Sequence, residues 1–173
     1  FRAAQNLASV AIPDSVTSIA PFVFKSCSSL VRITLPKGTQ EAGEDLFRGC
    51  TSLKTVVLPD TIKSIGESAF QGTSLTSIVV PDNVTHIGLA AFADIEALKT
   101  VEIGSGVKEL NATFVECLSL ESIILSEGLE TIGENTFCAC PLLATINIPN
   151  SVTSIGEYAF ADCSSLTSIT IPS

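Results

Sequence analysis

One spacing constrains this chain more than any other. Leu7, Leu30, Leu53, Leu75, Leu98, Leu120, Leu143 and Leu166 follow one another at intervals of 22 or 23 residues. A phenylalanine holds a fixed slot of the same frame, at Phe24, Phe47, Phe70, Phe92, Phe114, Phe137 and Phe160. Phe1 fills that slot for a preceding unit, so eight of the nine phenylalanines are accounted for and only Phe22 stands outside. A period of this length marks a solenoid, in which each unit is one coil that cannot bury its apolar face alone. Stacking adds hydrogen bonds and packing between coils, so only several coils together are stable.

Each unit reads as two short extended pieces and a turn. The opening Leu-x-x-Ile-x-Ile alternates apolar with small or polar residues, the period of a half-buried strand. Ile33 and Leu35, Ile78 and Val80, and Ile146 and Ile148 are therefore expected to point inward. Proline ends the strand at Pro13, Pro36, Pro59, Pro81, Pro149 and Pro172, where the missing ladder donor does least harm. A second extended piece follows, such as Val16–Ile19 or Val152–Ile155. Gly43, Gly66, Gly88, Gly133 and Gly156 close it, with Asn111 in the same slot of the fifth unit. Glycine and asparagine tolerate positive φ, so a left-handed turn is expected there. The stretch from Glu157 to Cys163 leaves room for one or two helical turns.

Composition narrows the partners. The net charge is −9, which argues against nucleic acid and anionic membranes, since both call for a surplus of Lys and Arg. Charged residues make up only 16%, too few for disorder. No apolar run approaches the ~18 residues of a membrane-spanning helix. The frame gives a single domain over 1–173: a partial coil 1–6, coils starting at Leu7, Leu30, Leu53, Leu75, Leu98, Leu120 and Leu143, and a partial coil 166–173. Both ends fall inside a repeat and no cap is visible, so further repeats or other subunits are expected at both ends.

The motif Leu-x-x-Ile-x-Ile-Pro-x-x-Val-x-x-Ile-Gly-x-x-Ala-Phe-x-x-Cys, clearest from Leu143 to Cys163, resembles the leucine-rich repeats of the BspA-like family, also called the Treponema-pallidum-type repeat. The resemblance implies a right-handed leucine-rich-repeat solenoid with a parallel sheet on its concave face and short strands on its convex side. It also implies a surface or secreted protein that binds other proteins. The chain departs from the pattern in places. Gly104 and Ser126 replace the proline, Ala42 replaces an isoleucine, and the fifth unit lacks one residue before Phe114.

Chemistry-bearing residues are sparse. Cys27, Cys50, Cys117, Cys140 and Cys163 share one slot, which the third unit lacks and the fourth fills with Ile95. A slot that accepts isoleucine is a core slot, so these are expected to be buried thiols acting as small apolar groups. Cys138 lies outside the frame, and no second pair or histidine stands at ligand spacing, so no metal and no cofactor are expected. His86, the single histidine, falls where neighbouring coils carry Ser or Lys, with no nucleophile elbow in the chain. Gly104-Ser105-Gly106 reads as a turn, since the third glycine of a phosphate cradle is missing. The recurring Glu44, Glu67, Glu134 and Glu157 read as a solvated column.

The concave face carries the functional expectation. Its outward positions form one row that is nearly all Ser and Thr, interrupted by Arg32, and a second row that varies through Thr34, Val57, Val79, Glu102 and Ile124. Lys54, Lys99 and Glu121 stand beside them. Exposed apolar residues around a charge are a feature of protein contacts. The chain is therefore read as a non-enzymatic protein-binding module, at the cell surface or secreted. The alternatives are a structural subunit of a larger intracellular complex and an accessory domain of an enzyme. In a secretory pathway, Asn83-Val84-Thr85 and Asn111-Ala112-Thr113 would be glycosylation acceptors.

Overall fold

The chain is represented by a computed structural model that describes residues 1–171; Pro172, expected to end the last strand, lies outside them. Each coil contributes a first strand to the concave sheet and a two-residue strand to the convex side. The first strands are β1 (Arg32–Thr34), β3 (Thr55–Val57), β5 (Ser77–Val80), β7 (Thr100–Ile103) and β9 (Ser122–Leu125). The second are β2 (Glu41–Ala42), β4 (Ser64–Ile65), β6 (His86–Ile87), β8 (Glu109–Leu110), β10 (Thr131–Ile132) and β11 (Ser154–Ile155). Every pairing is parallel and joins a residue to its counterpart one repeat away, as in Ile78↔Val101↔Ile123. The outermost coils are less regular: in place of first strands the first and seventh make only the bridges Ser9↔Arg32 and Asn147↔Thr170, and residues 16–19 form no second strand, whereas the seventh coil keeps β11.

The core follows the frame. All six residues expected to point inward are buried, and the buried cluster runs without interruption from Phe24 to Cys163. The phenylalanines form one stack from Phe1 to Phe160, with successive ring centroids 5.3–5.7 Å apart and planes within 25° of parallel. Phe22, outside the frame, is half-buried beneath the Lys25 ammonium, 5.5 Å from its ring centre.

Two local expectations are corrected. The stretch between the glycine slot and the cysteine slot contains no helix among the described residues. An α-helix is ~10 Å across, whereas the rings in this segment repeat at 5.3–5.7 Å, so helices on successive coils would collide. The backbone instead alternates. In the second coil, Asp45, Phe47 and Gly49 donate to the carbonyls of Glu67, Ala69 and Gln71 in the next coil, while Leu46, Arg48 and Cys50 donate three residues back. This ladder of turns needs two left-handed residues per coil, for example Asp45 (φ 53°) and Gly49 (φ 70°), or Asn135 (φ 54°) and Ala139 (φ 58°).

The second correction concerns the glycine slot, where neither the glycines nor Asn111 has a positive φ. The constraint is proximity. A Cβ on Gly66, Gly88 or Gly156 would stand 2.5 Å from the backbone nitrogen of the glutamate in the preceding coil. At these three positions glycine is required because two backbones touch, with no room for a side chain between them.

Unit length controls stacking. The third coil is one residue short between Phe70 and Leu75. In the second, third, fifth and sixth coils the residue after the leading leucine donates to its counterpart in the preceding coil, as Lys54 does to Val31 and Lys99 to Thr76. Between the third and fourth coils the connection comes two residues early, from Ser74 to Leu53, and β3 and β5 are not paired. The fifth coil is short between Asn111 and Phe114, and the convex ladder is broken there, between β6 and β8. A further gap separates β9 from the seventh coil, with no shortening to account for it.

Candidate partner-binding face

All nine residues expected on the concave face, Arg32, Thr34, Lys54, Val57, Val79, Lys99, Glu102, Glu121 and Ile124, are exposed. The strand register brings part of this set together. Val79, Glu102 and Ile124 are direct cross-strand neighbours on β5, β7 and β9. Val79 is 59% exposed and Ile124 61%, so two apolar side chains flank one carboxylate. Lys99 and Glu121 form an exposed ion pair of 3.5 Å beside this row. Val57 is set apart: it pairs with Thr34, and the unpaired gap between β3 and β5 lies between it and Val79.

The two short coils leave open features. One lies in the gap between β3 and β5, a slot of about 340 Å³ lined by inward as well as outward residues, including Val56, Val57, Ile78 and Val79. Val56, whose counterparts Ile33 and Ile78 are buried, is half-exposed through this slot. The other is a groove of about 420 Å³ on the convex side, where His86 faces Lys108, Glu109 and Asn111 across the broken ladder.

The cysteines act as donors, which sequence reasoning missed. The thiols are free, and those in the frame are buried. Each donates to a phenylalanine carbonyl of the preceding coil: Cys27 to Phe1 (3.1 Å), Cys50 to Phe24 (2.9 Å), Cys117 to Phe92 (3.2 Å), Cys140 to Phe114 (3.2 Å) and Cys163 to Phe137 (3.1 Å). Where Ile95 has no donor to offer, the Thr73 hydroxyl bonds the Phe70 carbonyl at 2.9 Å. Burial pushes the thiols of Cys50 and Cys140 up to about 12 and raises those of Cys117 and Cys163 as well. Such thiols are poor nucleophiles.

Charge elsewhere is structural. The Asp45 carboxylate is buried between Lys25 and Arg48. Asp82 accepts from the Ser105 backbone N–H (2.8 Å) and hydroxyl (3.0 Å), which hold its carboxyl below the usual range. Gly104 and Gly106 are glycines because a Cβ on either would meet the backbone near Asp82 within 2.6 Å. The Glu44, Glu67, Glu134 and Glu157 side chains are exposed, as is His86. The two glycosylation triplets differ in access. Asn83 and Thr85 are exposed, whereas Asn111 is half-buried and Thr113 is fully buried, its hydroxyl held by the Asn111 backbone.

The frame, the parallel register and the phenylalanine stack agree with the comparisons. A model described as BspA type leucine-rich repeat region matches in six copies, over residues 1–113 and 110–173. The chain belongs to the BspA-type leucine-rich repeat family. Among solved structures, a leucine-rich repeat protein from Bacteroides ovatus is 36% identical with a TM-score of 0.90, over 94% of this chain and 43% of that one. The Treponema pallidum leucine-rich repeat protein is 34% identical with a TM-score of 0.81, over 86% of this chain and 70% of that one. The pneumococcal vaccine antigen PcpA, 22% identical with a TM-score of 0.55 over 93% of this chain and 40% of that one, shares the fold. The chain thus spans less than half the length of the Bacteroides protein. No match was found among curated proteins.

Proposed function

We propose that this BspA-type chain is a non-enzymatic protein-interaction module whose concave sheet receives a protein partner, at the cell surface or outside the cell. The observation that carries this reading is the row Val79, Glu102 and Ile124. It joins two of the most exposed large apolar side chains on the strands to one carboxylate, on a sheet whose inward face is buried. Apolar area supplies binding energy, and the flanked carboxylate selects a cation opposite it. Family membership supports an interaction role, since a repeat of this kind offers an extended surface and little else. The free, buried thiols with raised pKa offer no nucleophile. In a secretory pathway, Asn83 is the acceptor the geometry favours.

The test is capture of purified extracellular-matrix and serum proteins on the immobilised chain. Ile124→Arg should weaken the capture at least tenfold, while Lys63→Glu on the convex side leaves it unchanged. Equal capture by the wild-type and Ile124→Arg chains would remove the concave face from the interaction.

A further inference from the structure

We infer that the gap between β3 and β5 accepts an extended segment of a partner protein, which enters the concave sheet as an additional parallel strand. The inference rests on the concave-face reading and specifies how that face would be used.

The backbone supports it first. Leu35 N–H bonds the Val57 carbonyl at 3.3 Å, but Leu58, in the same slot one coil later, has no backbone acceptor among the described residues. On the other side, the carbonyls of Thr76 and Val80 accept from Lys99 and Gly104 of the fifth coil. By the alternation of a parallel strand, Ser77 and Val79 therefore turn their N–H and C=O toward β3. Two strand edges with unused donors and acceptors thus face each other across one slot, each a template for pairing.

The opening exceeds one ladder spacing. Most Cα pairs between β3 and β5 are more than 8 Å apart, against the ~4.8 Å between paired strands. A strand pairing on both sides needs two ladder spacings, ~9.6 Å. The coils cannot close the gap by sliding together, because they are already in contact at the phenylalanine stack, with Phe47, Phe70 and Phe92 at 5.4 and 5.3 Å. The opening arises from the missing residue between Phe70 and Leu75 and is held by the stack behind it.

Side chains and charge set the occupant's chemistry. Alternate residues of an entering strand would pack inward on Val56 and Ile78, and the others would lie outward between Val57 and Val79. Lys54 stands at the end where a parallel strand begins. Asp60, Asp82 and Glu102 line the surface at the other end. The matching segment is apolar or β-branched, with an acidic residue at its start and a basic residue at its end.

The probe is a blocked seven-residue peptide alternating valine and threonine, with glutamate first and lysine last, followed by fluorescence anisotropy. Binding is expected. Methylating alternate backbone nitrogens should abolish it, and exchanging the two charged ends should weaken it at least fivefold. Val79→Pro removes one slot-facing N–H and should weaken binding at least tenfold. Inserting one serine between Gly72 and Thr73, which restores the 23-residue unit, should do the same, with folding of both variants checked by circular dichroism. No binding at millimolar peptide overturns the inference, as does equal binding by the N-methylated peptide or the insertion variant. If the peptide fails while Ile124→Arg still releases a captured protein, the slot falls and the concave-face reading stands. If both fail, both fall.

Discussion

At the residue scale, single substitutions in a repeat reveal what each slot requires. Thr39 occupies a slot filled elsewhere by Ile62, Val84, Val107 and Leu129, and its buried hydroxyl has no partner. Thr39→Val should stabilise the chain by about 1 kcal/mol in urea denaturation, since it removes an unsatisfied polar atom at nearly constant volume. The thiols give a pH signature. The folded values near 12 for Cys50 and Cys140 lie above the ~8.5 of an unfolded thiol. Their contribution is complete below pH ~8.5 and is lost as pH rises toward 12, because the unfolded chain releases the proton first. Urea midpoints measured from pH 8 to 10.5 should therefore fall, and Cys50→Ala with Cys140→Ala should fall less steeply from a lower start. That these slots are core was legible from Ile95. That the thiol serves a carbonyl 25 or 26 residues back was not, because that contact joins two coils; the strict return of cysteine among all small apolar residues was the one signal.

At the element scale, the frame made the coils readable and their junctions unreadable. Periodicity fixes which side chains point inward, so Ile33, Ile78 and Ile146 could be placed from the sequence. The distance between coils appears in no single coil's sequence. For that reason the sequence points to φ at the glycine slot when the cause is a backbone contact, and to helical turns where a 5.3–5.7 Å repeat excludes them. The corrected reason is testable within one slot. Gly66→Ala places a Cβ 2.5 Å from the Glu44 nitrogen and should cost about 3 kcal/mol, whereas at Gly43 the nearest atoms lie at 3.4 Å and Gly43→Ala should stay within about 1 kcal/mol of neutral. The second coil also trades volume between slots. Ala42 stands where most other coils have isoleucine, and Leu46 where the next two coils have Ala69 and Ala91; Ala42, Leu46, Ala69 and Ala91 are all buried. Ala42→Ile alone should cost about 1–3 kcal/mol by overpacking, and adding Leu46→Ala should recover most of it.

At the scale of the whole molecule, a continuous core and an interrupted surface coexist. The phenylalanine stack crosses both short coils without a break, so stability is shared along it, while each lost residue is absorbed by one open ladder. Phe92→Ala should accordingly cost about 3–5 kcal/mol, and Val79→Ser on the outer face less than about 1 kcal/mol. The exposed row Val79, Glu102 and Ile124 was legible in part, since the outward positions follow from the strand period. Its separation from Val57 was not, since a one-residue deletion near Phe70 acts on strands several residues away. The central claim is that the frame builds one continuous stack and that its two short units open the concave sheet between β3 and β5 and the convex ladder between β6 and β8. Residue-resolved amide hydrogen exchange on the free chain tests it most directly. The prediction is slow exchange at Val101, Ile124 and the turn amides of Phe47, Phe70 and Phe114, with fast exchange at Leu58, Val79 and Lys108. Uniform protection across all first strands and all second strands would contradict it.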